Sequence, residues 1–98
     1  MANEQRIATA QAEGNSTGIA IPNHANTTKS HLRTLLVGGT FGGATVKYQV
    51  SLDDTTYFDV DGADAITAAT AINVEHRCPY HRINVGVGTA ESIDAWVV

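Results

Sequence analysis

Apolar side chains in this sequence recur at every second position. In ATVKYQVSL, Val46, Tyr48, Val50 and Leu52 fall on one side, and Lys47, Gln49 and Ser51 on the other. A period of two turns one row toward a core and the other toward water, which commits the segment to a strand with one wet face. RIATAQA, TGIAIP, HLRTLLVGG, AINVEHR, YHRINVGVG and SIDAWVV show the same alternation, and TYFDV adds an aromatic, β-branched returning strand. In SIDAWVV, Ile93, Ala95 and Val97 oppose Trp96 and Val98. Leu32, Leu35 and Val37 are the core residues expected of HLRTLLVGG, and Ile83, Val85 and Val87 those of YHRINVGVG. Gly, Asn and Asp separate these runs at intervals of about 8 to 12 residues, the spacing of strands in a sandwich or barrel.

The expectation is an all-β fold: a single small β-sandwich or jelly roll of about seven to eight antiparallel strands. No run of ten residues carries a helical stripe, and the threonines between Ala63 and Ala71 allow at most one helical turn there. NHANTTKS reads as a loop. Residues 1–18 contain Ile7 as their one large apolar side chain besides Met1. They are expected as an extended arm that adds to a neighbouring subunit, or as an ordinary edge strand, with residues 19–98 forming the sandwich.

A chain of 98 residues makes one domain with a modest core. Charged residues are 16 % against about a quarter in typical proteins, and Thr, Ala, Gly and Asn take their place. Such a surface suits life inside an assembly. The net charge is −4, and the six Lys and Arg form no run, so neither nucleic acid nor an anionic membrane is an expected partner. Cys78 is the single cysteine, which leaves no intrachain disulfide. MANEQRIATAQAEGNSTG lacks the basic start and apolar stretch of an export signal, so synthesis in a cytoplasm is expected.

Three stretches raise the question of a site. GGTFGG has the glycines of a phosphate loop, but a strand follows it where a helix N-terminus is needed. Gly38, Gly39, Gly42 and Gly43 are therefore expected to permit positive φ in a wide turn or bulge. Asp53, Asp54, Asp59, Asp61 and Asp64 glance at a calcium loop, yet Gly62 and the absent twelfth-position Glu break its pattern, and aspartates favour turns on their own account. EHRCPYH gathers Glu75, His76, Cys78 and His81, and a strand running through this stretch would aim His76 and Cys78 the same way. One Cys and two His fall short of paired zinc spacing, and a buried apolar cysteine beside polar histidines is the alternative. His24 and His31 stand too far along the chain to be joined to that cluster. GTAES is not a nucleophile elbow, and no enzyme activity, catalytic residue, metal or cofactor is assigned. Sugar binding would want exposed aromatics, whereas Phe41, Tyr48, Tyr57, Phe58, Tyr80 and Trp96 mostly fall where a core needs them.

GTFGGATVKYQVSLDDTTYFDVDG and the closing YHRINVGVGTAESIDAWVV together resemble small virion structural proteins of tailed bacteriophages. The matching elements are Gly39 to Gly43, Val46 to Asp53, Tyr57 with Phe58, and Ile83 to Val98. Asp54 stands where that pattern has Gly, and Asp can hold the same turn. The resemblance implies a capsid decoration or cement protein on the virion surface, made in the host bacterial cytoplasm. Its implied partners are copies of itself and a major capsid protein, and a homotrimer is the oligomer expected here. A head or tail fibre component and a carbohydrate-binding module for host attachment are the alternatives.

Overall fold

The computed structural model describes residues 5–20, 32–76, 78–89 and 91–98. The loop expected over residues 23–30, with His24, and Pro22 and His31 beside it, lies outside the described residues, as does the side chain of Leu32. The described residues form nine antiparallel strands: β1 (Gln5–Gln11), β2 (Gly14–Asn15), β3 (Ile19–Ala20), β4 (Leu32–Thr40), β5 (Val46–Ser51), β6 (Tyr57–Asp59), β7 (Thr70–Glu75), β8 (Tyr80–Val85) and β9 (Ser92–Val97). The described residues contain no helix, and those from Ala63 to Ala69 are irregular apart from a bridge between Ile66 and Val46.

The pairing is nested. β5 turns back on β6, β4 pairs β7, β2 and β3 both pair β8, and β1 pairs β9. This long ribbon is folded over, so that β4 also pairs β9 and β5 also pairs β8. Two sheets result, one ordered β1-β9-β4-β7 and the other β2-β8-β5-β6 with β3 beside β8. Most links therefore pass from one sheet to the other, and the side chains between the sheets make the core of a sandwich-like fold.

That core follows the alternation. Leu35 and Val37 from β4, Val46 and Tyr48 from β5, Ile83 and Val85 from β8, and Ile93, Ala95 and Val97 from β9 are buried. Each large aliphatic side chain among them contributes roughly 1.5–3 kcal/mol by leaving water. Two expected core residues stay outside. Leu52 is 78 % exposed, because β5 ends at Ser51, whose Oγ accepts the N–H groups of Asp53 and Asp54 and turns the chain outward. Val87 is 76 % exposed, because β8 stops at Val85 and Gly86 bends toward the Thr45 carbonyl. Phe58 is also exposed: its strand has three residues and forms the open edge of its sheet.

The glycine-rich turn between β4 and β5 is backbone architecture. Gly39, Gly42 and Gly43 take positive φ, whereas Gly38 lies within β4 without it. Gly42 also packs its α-carbon against the carbonyl of Thr89, whose own N–H donates to the Gly42 carbonyl at 2.9 Å. A side chain at position 42 would meet that carbonyl directly.

Candidate functional site

The outer face of the four-stranded sheet carries a row of apolar surface. Leu36 pairs with Trp96 of β9 on one side and Ala71 of β7 on the other. Because Leu35, Val37, Ala95 and Val97 point inward, Leu36 and Trp96 point outward. Val98 joins the row through two backbone hydrogen bonds with Thr34, and 42 % of it is exposed. At the β1 edge, Arg6 pairs with Trp96 and lays its guanidinium 4.9 Å from the indole centroid. Arg6 is held there by Asp94, whose Oδ1 accepts from Arg6 Nη2 at 3.0 Å and from the Ala10 N–H at 2.9 Å. The Ala10 N–H, then Arg6, keep the Asp94 carboxyl below its ordinary value. Ala10 takes φ of 48°, and the register of β1 slips twice along β9, so this edge is irregular and poorly suited to further strand pairing.

The outer face of the five-stranded sheet has the opposite character. Arg82 Nε donates to Gln49 Oε1 at 2.8 Å, Gln49 Nε2 to Asp59 Oδ1 at 2.8 Å, and Asn84 Nδ2 to Asn15 Oδ1 at 2.7 Å. Lys47 Nζ lies 3.8 Å from Asp59 Oδ2. The Arg82 guanidinium sits 3.9 Å from the centroid of Tyr57, covering one face of that ring. These polar groups are engaged with one another across four strands, β2, β8, β5 and β6.

The acidic stretch does not converge. Asp53 Oδ1 accepts the N–H groups of Thr55 and Thr56 and the hydroxyl of Ser51. Those bonds, the Thr56 N–H foremost, lower the Asp53 pKa from its ordinary value. Asp54 occupies the left-handed region at φ of 62° and accepts from the Tyr57 hydroxyl. Asp59 belongs to the polar ladder, Asp61 is exposed, and Asp64 borders a shallow cleft of about 490 Å³ between residues 62–69 and the start of β7. Among the described residues no three His, Cys, Asp or Glu side chains gather as a metal-binding group would require.

Glu75, His76, Cys78 and His81 are likewise rearranged. β7 ends at Glu75, which is exposed, and the chain crosses to the other sheet before β8 begins at Tyr80. His76 and Cys78 are therefore not successive members of one strand face. The Cys78 N–H donates to His76 Nδ1 at 3.1 Å, while the Cys78 side chain packs against the core. His81, fully buried, and His76 meet at a third residue: the Tyr48 hydroxyl lies 2.9 Å from His81 Nδ1 and 3.0 Å from His76 Nε2. Burial pushes the Tyr48 phenol well up and the His81 imidazole down to about 4.

The outward placement of Trp96 and Val98 is readable from their alternation with Ile93, Ala95 and Val97. Leu36 is hidden in the run LLV, and Tyr48 carries no signal that its hydroxyl joins two histidines. Comparison of the chain with protein-family models, with curated proteins and with solved structures finds no match.

Proposed function

We propose that this chain is a non-catalytic structural protein of a bacteriophage virion: a capsid decoration protein that lays the outer face of its four-stranded sheet on the major capsid shell, as a homotrimer. The observation that carries this reading is the outward row of Leu36, Trp96, Val98 and Ala71, set on a rigid sheet and bordered by the Arg6–Asp94 pair. An aromatic residue with aliphatic neighbours and an arginine at the rim is the composition of a protein-binding patch. Repetition over many copies raises avidity even where each contact is weak.

The finer fold reading is a jelly roll. Counting β2 and β3 as one interrupted strand, the nested pairs first-with-last, second-with-seventh, third-with-sixth and fourth-with-fifth support it. Shell proteins of viruses use that architecture, and so do lectins, so the fold narrows the class without deciding the role.

The test is co-sedimentation with phage heads assembled without this chain, alongside light scattering to measure mass. The reading expects the wild-type chain to pellet with heads, and Trp96→Ser to keep its far-ultraviolet spectrum while losing the pelleted fraction. Equal pelleting of Trp96→Ser, or retention on a glycan array with no affinity for heads, would overturn it.

A further inference from the structure

The Tyr48 hydroxyl is the meeting point of a hydrogen-bond chain whose direction can be worked out. A backbone N–H can only donate, so His76 Nδ1 must accept from Cys78. In a neutral imidazole the other nitrogen then carries the hydrogen, and His76 Nε2–H donates to Tyr48 Oη. The single hydroxyl hydrogen of Tyr48 is left to donate to His81 Nδ1, which places the ring hydrogen of His81 on Nε2. Every bond runs one way, from Cys78 through His76 and Tyr48 to His81.

The chain also joins the two sheets. Tyr48 on β5 and His81 on β8 belong to the five-stranded sheet, while His76 directly follows β7 of the four-stranded one. Around it, Arg33 from β4 bears on Tyr48 and His81, Cys78 of the crossover faces Tyr48, and Ile19 of β3 lies opposite His81 in the ladder.

We propose that the Cys78–His76–Tyr48–His81 chain is an acid-sensitive latch that ties the β7–β8 crossover to the five-stranded sheet. A proton from solvent added to His81 Nδ1 turns that acceptor into a donor facing Tyr48 Oη. Oη already accepts from His76, and the Tyr48 hydrogen loses its acceptor in the chain. A proton added to His76 Nδ1 instead breaks the bond from the Cys78 N–H. The first event breaks the Tyr48–His81 bond and sets a second donor against Oη beside His76, whose bond to Tyr48 is the one that ties the crossover to the sheet. The second breaks the bond inside the crossover that orients His76, in a place where an uncompensated polar group is expensive.

The sign follows from the same geometry. The unfolded chain binds a proton at His81 more readily than the folded one, so stability is full above about pH 6.5 and falls as the pH drops toward 4. At pH 4.5 the folding equilibrium constant is lowered roughly 80-fold through His81 alone, the ratio set by an imidazole moving from 6.5 to about 4.

The test is nitrogen-resolved NMR of the full chain from pH 7.5 to 4.5, with amide exchange read at Cys78 and at Ala95 in the middle of β9. The expected result has both rings as the Nε2–H tautomer at pH 7.5 and His81 titrating more than one pH unit below a free imidazole. After correction for intrinsic rates, Cys78 exchange rises at least tenfold more than that of Ala95 on acidification. His81→Asn, which keeps an acceptor but cannot titrate, should lose most of the 80-fold pH response. An Nδ1–H tautomer at either ring, a His81 midpoint near 6.5, or Cys78 exchange that tracks Ala95 overturns the latch, and these readouts need only the wild-type chain.

Discussion

Tyr48→Phe removes one oxygen and no carbon, so its effect isolates the hydrogen bonds. The hydroxyl holds two, at 3.0 Å to His76 Nε2 and 2.9 Å to His81 Nδ1. Tyr48 and His81 are both fully buried, so water has no easy route to replace the lost partner. Leaving a buried donor or acceptor unpaired costs about 1–3 kcal/mol each, and phenylalanine recovers roughly 1 kcal/mol by sparing the hydroxyl its desolvation. The net expectation is a loss of about 1–5 kcal/mol, centred near 3, a large share of the roughly 5–15 kcal/mol that holds a small domain together. Equilibrium urea unfolding at pH 7, followed by far-ultraviolet circular dichroism, should show the midpoint falling by about 1–2 M with an unchanged slope. Adding His81→Leu to Tyr48→Phe should cost less than the sum of the two single changes, because it removes the orphaned acceptor. A loss below about 0.5 kcal/mol for Tyr48→Phe, or any gain, would refute the reasoning, since the hydroxyl would then be making no net bond.

Gly42→Ala is expected to lower the melting temperature by about 10 °C or more, because a left-handed alanine costs about 1–2 kcal/mol and its methyl meets the Thr89 carbonyl. Asp53→Ala should leave the Thr55 and Thr56 amides without their carboxylate acceptor, and hydrogen exchange at those two positions should speed up while β8 amides stay protected. Leu52→Lys should change unfolding free energy by no more than about 0.5 kcal/mol, its side chain being mostly in water. Ile83→Ala, from a fully buried position, should cost about 2–5 kcal/mol in the same denaturation experiment.

The legible part of the fold is the part with a local period. VKYQVS, YHRINV and SIDAWV alternate, and their burial alternates with them except at Ser51, which the alternation puts on the wet face but which is fully buried where its hydroxyl anchors the aspartate turn. β2 has two residues and leaves no period to read, whereas β3, equally short, falls within the alternating TGIAIP. Alternation also does not say where a strand stops. Leu52 and Val87 continue the apolar row of their strands, but a serine hydroxyl and a glycine bend end those strands first. The aspartate turn was readable as turn chemistry because Asp and Ser bond to backbone two or three residues away, a distance the sequence itself sets.

Side-chain period and turn chemistry act between near neighbours, so the sequence by itself determined that this chain is made of strands, which residues each strand turns inward, and where the acidic and glycine-rich turns bend. Sheet membership depends on pairing between residues far apart in the chain, and only the tertiary structure decided it. It set Leu36 beside Trp96 to make an outward apolar row. It also carried the chain from β7 across to β8, bringing two histidines to a tyrosine 28 and 33 residues away from them. No local pattern encodes such a meeting, because it is fixed by which ribbon lies beside which once the core has closed.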